Sequence, residues 1–281
     1  MAKKKKNIPL PKLTTKRGLI DTHCHLDFPD YDIDREEVIQ RAVHAGVTHM
    51  ITIGIDLSTS RSAVEIAASH PFVSAAVGVH PHHVSDLTSV ELDEIVRLAA
   101  DPVVVAYGEI GMDTVRNYAP LDVQRQKFRE QVRLAKGLNL PMIIHDREAH
   151  ADILAVLEKN APFPSGGVIH CYSGDSALAE QFMQLGFYIS IPGVVTFNKA
   201  EDLQEAVRRI PLTSMLVETD APFLSPMPKR GRRNEPLHVL YTANKIAELK
   251  GVGLDEVARI TTENAVDLFH IGNCLPGAVN L

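Results

Sequence analysis

The sequence has no tryptophan, only three cysteines among 281 residues, and no long apolar run. The cysteines form neither an even set nor a closely spaced pair, which excludes a disulfide framework and favours a reducing, cytoplasmic setting; they are Cys24, Cys171 and Cys274. No stretch approaches about eighteen apolar residues, and no apolar segment of signal-peptide length follows the basic start. We therefore expect a protein that neither spans a membrane nor is exported.

The chain also lacks an excess of positive charge, because 29 lysines and arginines against 35 acidic residues give a formal net charge of −6. A polyanionic substrate would therefore have to be held by a local basic patch or by bound metal. The length suits one large α/β domain or two small ones. We interpret residues 1–17 as a basic tail that is solvated rather than bound to nucleic acid, 18–273 as the domain, and 274–281 as a second tail.

Eight short apolar runs alternate with amphipathic helical patterns after residue 18. Strands joined by crossover helices must be parallel, so eight such units predict a single (β/α)8 TIM barrel. An open doubly wound sheet is the alternative, but no glycine-rich phosphate loop follows the first strand. We expect Leu254–Ile271 to be an extra C-terminal helix packed on the outside. The predicted strands are Leu19–Leu26, His49–Ile55, Val73–Val79, Val103–Ile110, Met142–Asp146, Gly167–Cys171, Tyr188–Ile191 and Met215–Thr219, and the clearest helices are Asp32–Ala45, Leu121–Leu138 and Lys199–Ile210.

Ionisable residues gather at the carboxyl ends of these strands, which converge on one mouth of a barrel. They are Asp21, His23, His25, His80, His82, Glu109, His145, His170 and Asp220. A lone histidine there is usually structural, but six nitrogen and oxygen ligand candidates on five strands indicate a metal centre. Four histidines and two acids exceed the needs of one tetrahedral ion, so two divalent ions sharing Glu109 are favoured.

The segment GLIDTHCHL, residues 18–26, supplies two of these histidines. Strand alternation places Asp21, His23 and His25 on one face, with the imidazoles about 7 Å apart along the strand. Asp21, deeper on that face, is expected to orient an imidazole rather than bind metal. Alternation also turns Cys24 towards the helices and Cys171 away from the site, so no thiolate is required.

Two such ions can activate a water for hydrolysis without a covalent intermediate. The donor set suits Zn²⁺, Mn²⁺, Fe²⁺ or Ni²⁺ and, with added water ligands, Mg²⁺. Ser173 lies near His170, but no GxSxG elbow presents it as a nucleophile.

At these residues the chain resembles the TatD-related metal-dependent hydrolases, which share a barrel with the amidohydrolases. The resemblance implies one ion on His23, His25, Glu109 and Asp220, and a second on Glu109, His145 and His170. It also implies that Asp220 orients or deprotonates the nucleophilic water, and that DNA is cleaved from a 3′ end with Mg²⁺, Mn²⁺ or Zn²⁺. The matching segments are DTHCHLDF (21–28), GVHPHH (78–83), GEIGMD (108–113), PMIIHDRE (141–148), GGVIHCYSG (166–174), GFYISIPGVVTF (186–197), LVETDAPFLSP (216–226), RGRRNEP (230–236) and TTENAVDLF (261–269).

Two details of the sequence indicate how this chain relates to the amidohydrolases and to the TatD-related hydrolases. Amidohydrolases with two metals often bridge them by a carboxylated lysine on the fourth strand, whereas this chain has Glu109 there. Family members often carry two aromatic residues after the sequence GLD. Here the corresponding GMD, residues 111–113, is followed by Thr114 and Val115. If those aromatics stack on a base, stacking is weaker at this position.

Basic and imidazole groups near the mouth are candidates for holding a phosphodiester. The loop PMPKRGRRNEP carries Lys229, Arg230, Arg232 and Arg233. We predict that Arg230 and Arg233 bind the substrate phosphate. Arg147 offers a planar fork for a phosphate, and His80 and His82 could contact the phosphate or its leaving oxygen. DNA or another phosphodiester is the expected partner, with no membrane and no obligate protein partner.

Two other functions fit the same residues. The site could hydrolyse carboxylic esters or amides, including removal of a misplaced amino acid from transfer RNA. The chain could also be a scaffold with a structural metal, since fold alone does not determine function.

Overall fold

A computed structural model describes residues 8–15, 18–116 and 118–272. The predicted C-terminal tail, which includes Cys274, and the four consecutive lysines at positions 3–6 lie outside these residues. Part of the expected N-terminal tail lies on the domain: Leu10 and Leu13 pack against the core, and the Thr14 N–H donates to Oδ1 of Asp255 at 2.9 Å. The boundary at residue 18 therefore does not mark the start of the packed structure.

The described residues contain eight strands and nine α-helices in strict alternation up to the last helix. No helix among them is both long enough and apolar enough to cross a membrane. The strands are β1 Leu19–Cys24, β2 Val47–Ile53, β3 Val73–Val77, β4 Val104–Asp113, β5 Met142–Arg147, β6 Gly167–His170, β7 Phe187–Ile191 and β8 Met215–Val217. The helices are α1 Arg35–Ala45, α2 Leu57–Ser69, α3 Ser89–Leu98, α4 Leu121–Leu138, α5 His150–Asn160, α6 Ser176–Gln184, α7 Glu201–Arg209, α8 Val239–Lys250 and α9 Leu254–Phe269.

All neighbouring strands pair in parallel, in the order β1 to β8. The ring closes just beyond β8, where the Asp220 N–H donates to the His23 carbonyl at 2.9 Å and the His25 N–H donates to the Ala221 carbonyl at 2.7 Å. The predicted TIM barrel is confirmed. Because these closing bonds join His23, His25 and Asp220, barrel closure brings three of the candidate ligands together.

Two apolar clusters fill the domain. The larger lies between the strands and the outer helices, and the smaller draws residues from inside the barrel together with the last turns of α9. α9 is the expected extra C-terminal helix, but its last turns do not lie on the outside of the barrel. The carboxyl-terminal half of α9 closes the floor of the barrel, at the end opposite the site. The smaller cluster comprises Ile20, Ile51, Ile53, Ala76, Ala106, Ile143, Val168, Leu216, Ala265, Leu268, Phe269 and Ile271.

Candidate metal centre

β1 does not keep strict alternation on its way to the site. Its pairing with β2 shifts register between Asp21 and Cys24, as at a β-bulge. The Thr22 hydroxyl lies 3.4 Å from the Ser190 hydroxyl and donates to the Val217 carbonyl. Asp21 accepts hydrogen bonds from the Thr219 backbone and hydroxyl at 2.9 and 2.5 Å. Asp21 therefore fastens β1 to the end of β8, and the predicted role of orienting an imidazole was wrong.

The bulge still delivers both histidines to one place. His23 and His25 are buried, and Nε2 of His25 lies 3.4 Å from Oδ1 of Asp220. Asp220 adopts a left-handed backbone conformation with φ of 54°, which is uncommon outside glycine and recurs at functional sites. The Nδ1–H of His25 donates to the Ile53 carbonyl at 3.0 Å, so Nε2 faces Asp220 and can bind a cation once it has lost its proton.

Glu109, on β4, lies at the middle of the cluster. Its Oε1 is 2.6 Å from Nδ1 of His145, 3.3 Å from Nε2 of His170 and 3.5 Å from Nε2 of His80. Its Oε2 is 3.4 Å from Nε2 of His23. A single buried carboxylate thus reaches imidazoles from four other segments, as a shared ligand would have to do.

The electrostatics of the cluster follow from this crowding. Burial opposes the charge on Glu109, but His170 and His80 outweigh it and hold the pKa of this carboxyl well below its usual range. Burial likewise opposes charge on His170, yet Glu218 and Glu109 raise the pKa of the imidazole well above normal. The pKa of Asp220 is lowered in spite of burial, chiefly by its hydrogen bond with His25. The site therefore stabilises its carboxylates as anions.

His23 provides a test of whether a cation fits. Its ring is 1% exposed, and within the described residues neither of its nitrogens makes a hydrogen bond of ordinary geometry. Nε2 lies 3.4 Å from Glu109 and 3.9 Å from Asp220, at the junction of two carboxylates. Such a buried nitrogen is costly unless something binds it. Donor atoms of the described residues form four overlapping groups that could hold an ion: His23, His25 and Asp220; His23, Glu109 and His170; His80, Glu109 and His145; and His170, Cys171 and Glu218.

Sequence reasoning missed Glu218, which supports the centre from behind. Its Oε1 lies 3.0 Å from Nδ1 of His170 and accepts the Cys171 N–H at 2.9 Å. A carboxylate at Nδ1 orients the ring and directs Nε2 towards Glu109. The available signal was its position, on the predicted strand Met215–Thr219 and two residues before Asp220.

Asp113 was also missed as a functional residue. Its Oδ2 lies 2.7 Å from Nε2 of His82 and 3.7 Å from Nε2 of His145. It is fully buried, and the backbone N–H groups of Val115 and Arg116 donate to its Oδ1 at 2.8 and 2.9 Å. Asp113 thus links the loop after β3 to the end of β5.

The two described cysteines differ in position. Cys24 belongs to the outer cluster, as predicted, with its thiol 3.4 Å from the Ile51 carbonyl. Cys171 was expected to point away from the site, but β6 ends at His170 and Cys171 takes a left-handed conformation with φ of 47°. Its sulfur, a nitrogen of His170 and an oxygen of Glu218 all lie within 4.8 Å of one another. Burial raises the pKa of this thiol well above normal, so it remains protonated.

The five predicted substrate-binding residues fall into different environments. His80 is buried, and its Nδ1 accepts the His82 N–H at 3.1 Å, so the neutral ring carries its proton on Nε2, facing Glu109. His82 is held by Asp113. Arg147 is exposed, and the guanidinium of Arg230 lies 4.7 Å over the Phe197 ring.

Arg233 does not reach the centre. Its guanidinium makes two 2.7 Å hydrogen bonds to the Asp34 carboxylate and lies 4.8 Å over the Tyr31 ring. Because these contacts commit the guanidinium to the loop before α1, the structure does not support Arg233 as a substrate-binding residue.

Comparisons with known proteins show the family and agree with the fold. A family model described as TatD related DNase matches residues 20–270. The uncharacterized metal-dependent hydrolase YabD of Bacillus subtilis is 44% identical over 253 residues, covering 90% of this chain and 99% of the relative. The 3′-5′ ssDNA/RNA exonuclease TatD of Pantoea vagans is 37% identical over 259 residues, covering 90% and 100%. The crystal structure of YjjV, a TatD homologue from Escherichia coli, superposes with a TM-score of 0.86 at 33% identity, covering 91% and 99%.

Proposed function

We propose that this chain, which belongs to the TatD related DNase family and is a metal-dependent hydrolase of the TatD type, cleaves phosphodiester bonds of DNA from a 3′ end. The observation that carries the proposal is Glu109, whose two oxygens face imidazoles from β1, β5, β6 and the loop after β3. A carboxylate shared in this way suits two divalent cations side by side.

The proposed ligands are the six residues expected from the sequence. As the resemblance implies, one cation would be held by His23, His25, Glu109 and Asp220, and a second by Glu109, His145 and His170. In support, His23, His145 and His170 all lie within 3.4 Å of a Glu109 oxygen, and His25 lies 3.4 Å from Asp220. When bound, the cations would polarise the phosphoryl group and lower the pKa of a water. Mg²⁺, Mn²⁺ and Zn²⁺ are the candidates, since the donors are imidazole nitrogens and carboxylate oxygens.

The protein's own groups have distinct proposed tasks. Asp220 is held as an anion by its histidine neighbours, and its partly exposed carboxylate can orient a water and accept its proton. His80 presents a proton on Nε2 to the centre, because its Nδ1 is occupied by a backbone N–H. That N–H can donate to a phosphoryl oxygen without competing for a cation.

A phosphodiester is preferred over a carboxylic ester because of the charge at the mouth. Lys229, Arg230 and Arg232 lie on the loop after β8, and Arg147 is exposed at the end of β5. These side chains can neutralise a nucleic-acid backbone. The name of the Pantoea vagans relative supports single-stranded DNA or RNA as the substrate. The unpaired cysteines remain the reason to propose a cytoplasmic location.

The decisive experiment reconstitutes metal-free protein with Mg²⁺, Mn²⁺ or Zn²⁺. End-labelled single- and double-stranded DNA, RNA, an aminoacyl-transfer RNA and simple esters are supplied in parallel. We expect metal-dependent release of nucleotides from a 3′ end, abolished by Asp220→Ala and retained by Glu205→Gln, which alters an exposed carboxylate on α7. Ester or aminoacyl hydrolysis without nucleotide release would contradict the proposal, and metal binding without turnover of any substrate would indicate a scaffold.

A further inference from the structure

Two phenylalanines form an aromatic ledge beside the first proposed cation. The Phe28 ring lies 4.7 Å from the His25 ring, and the Phe223 ring lies 6.1 Å from His25 and 5.7 Å from Phe28. Phe28 follows β1 and Phe223 follows β8, so the ledge spans the seam where the barrel closes. We call Phe28 and Phe223 the aromatic ledge.

Phe223 is 48% exposed, although contact between a large apolar side chain and water is unfavourable. The exposure does not reflect a loose loop. The Phe223 N–H donates to the Asp220 carbonyl at 2.8 Å, and Nδ2 of the buried Asn234 donates to the Phe223 carbonyl at 2.6 Å. The same Nδ2 donates to the Thr219 carbonyl at 2.9 Å. The backbone that positions Asp220 thus also positions the ring.

The surroundings of the ledge indicate what would cover it. Lys229, Arg230 and Arg232 follow Phe223 on the same loop, and no charged or hydroxyl group is part of either ring. A flat apolar face next to a basic loop complements a ligand that is aromatic on one part and anionic on another. An unpaired nucleotide has both parts, with a base that stacks and a phosphate that binds cations.

We propose that the aromatic ledge is a stacking site for an unpaired nucleobase at the scissile end, with Phe223 as the principal contact. This inference rests on the proposed function. Phenylalanine has no hydrogen-bonding group, so the site accepts all four bases with little preference. A paired base stacks within its duplex, so the site favours single-stranded or frayed ends. The ledge also supplies aromatic contacts in a chain that lacks the two aromatics after its GMD motif.

The binding test uses a fluorescent base analogue, 2-aminopurine, at the 3′ end of a single-stranded oligonucleotide, with metal-free protein. Because the chain has no tryptophan, protein emission does not interfere with the probe. Stacking quenches the probe, so we expect quenching with the wild type and with Phe223→Tyr. We expect it to be lost in Phe223→Ala and unchanged in Met227→Ala, which alters an exposed apolar residue on the same loop. Equal quenching by wild type and Phe223→Ala would overturn the proposal.

The kinetic test compares an intact oligonucleotide with one whose 3′-terminal nucleotide lacks its base. A stacked base contributes enough that Phe223→Ala should raise KM about ten-fold on the intact strand, with kcat nearly unchanged. On the abasic strand wild type and Phe223→Ala should have equal KM. An equal rise in KM on both strands would indicate a structural role instead. If the wild type quenches the probe but the metal-loaded protein does not hydrolyse the oligonucleotide, the nuclease proposal is contradicted and the stacking site is still supported.

Discussion

Buried histidines occur at both ends of this barrel, and their environments are opposite. At the mouth, Glu109, Glu218 and Asp220 surround the imidazoles, and the pKa of His170 rises well above normal despite burial. Near the floor, His49 of β2 is fully buried with Nε2 2.8 Å from the Ser74 hydroxyl, and burial lowers its pKa to about 4.

The difference separates the effect of burial on a histidine pKa from the effect of neighbouring carboxylates. Desolvation acts on both histidines in the same direction, and only the carboxylates at the mouth reverse it. A buried histidine therefore marks a candidate metal centre only where fixed negative charge accompanies it. The floor histidine is a neutral core residue, and the following experiments should separate the two ends.

The largest effect is expected from removing the central charge at the mouth. Glu109→Gln keeps the shape of the side chain but leaves His23, His145 and His170 without their shared anion. We expect bound metal to fall below one ion per chain and kcat/KM to fall by about 10³-fold or more, since a bound cation supplies several kcal/mol of catalysis. Metal analysis and nucleotide release measure the two quantities. Full metal content in the variant would show that Glu109 is not a metal ligand.

At the floor, acid should lower the free energy of unfolding, because His49 binds a proton more readily in the unfolded state than in the folded state. The unfolded histidine titrates near 6.5, and folded His49 near 4. Above pH 6.5 both states are neutral and the stability is intact. As pH falls from 6.5 to 4, only the unfolded state binds the proton, and stability should drop by about 3 kcal/mol. Denaturant unfolding of His49→Gln, which retains a donor for Ser74, should show a shallower acid slope by about one proton. An identical slope in both proteins would contradict this assignment.

The support behind His170 should have an intermediate effect. Glu218→Gln weakens the interaction with Nδ1 of His170 without removing a proposed ligand. We expect metal affinity to fall about 10- to 100-fold, as is usual when a carboxylate behind a histidine ligand is lost. Metal titration measures the loss, and excess metal should restore activity in this variant but not in Glu109→Gln. A variant with wild-type affinity would show that His170 needs no such support.

The smallest effect concerns Arg230 and Arg233, two of the three arginines of the loop after β8. Arg233→Ala breaks the ion pair with Asp34, which is partly exposed and should contribute about 1 kcal/mol of stability. KM for DNA should be unchanged. Arg230→Ala should instead raise KM and weaken its salt dependence, with stability preserved. The opposite pattern, with Arg233 controlling KM, would restore the role that sequence reasoning assigned to it.

Much of the barrel could be predicted because each part has a local signature. All eight strands lie where apolar runs occur, and α4 has the predicted limits, Leu121–Leu138. The six candidate ligands come together because parallel strands direct their carboxyl ends to one mouth. Strand position alone, without any knowledge of side-chain contacts, suffices for this result.

The errors arose where the local period breaks or where a partner is distant in sequence. Asp21 was misinterpreted because a register shift interrupts alternation, and Cys171 because its left-handed backbone begins where β6 ends. The partner of Arg233 is Asp34, 199 positions away, and no local pattern reveals such a pair. α9 has an amphipathic period that predicts a buried face but not which surface buries it.

The closure of the floor by α9 has a consequence for how the protein folds. The Thr262 hydroxyl of α9 donates to the Gly18 carbonyl just before β1, a contact between residues 244 positions apart. The entropy of closing so long a loop grows only logarithmically, so the contact is affordable at equilibrium, but contacts this distant in sequence slow folding. We therefore expect the floor to be sealed late, after the strands have paired. Until then the inner residues Ile20 and Ile51 face water, and an incompletely synthesised chain would expose them to chaperones and to other chains.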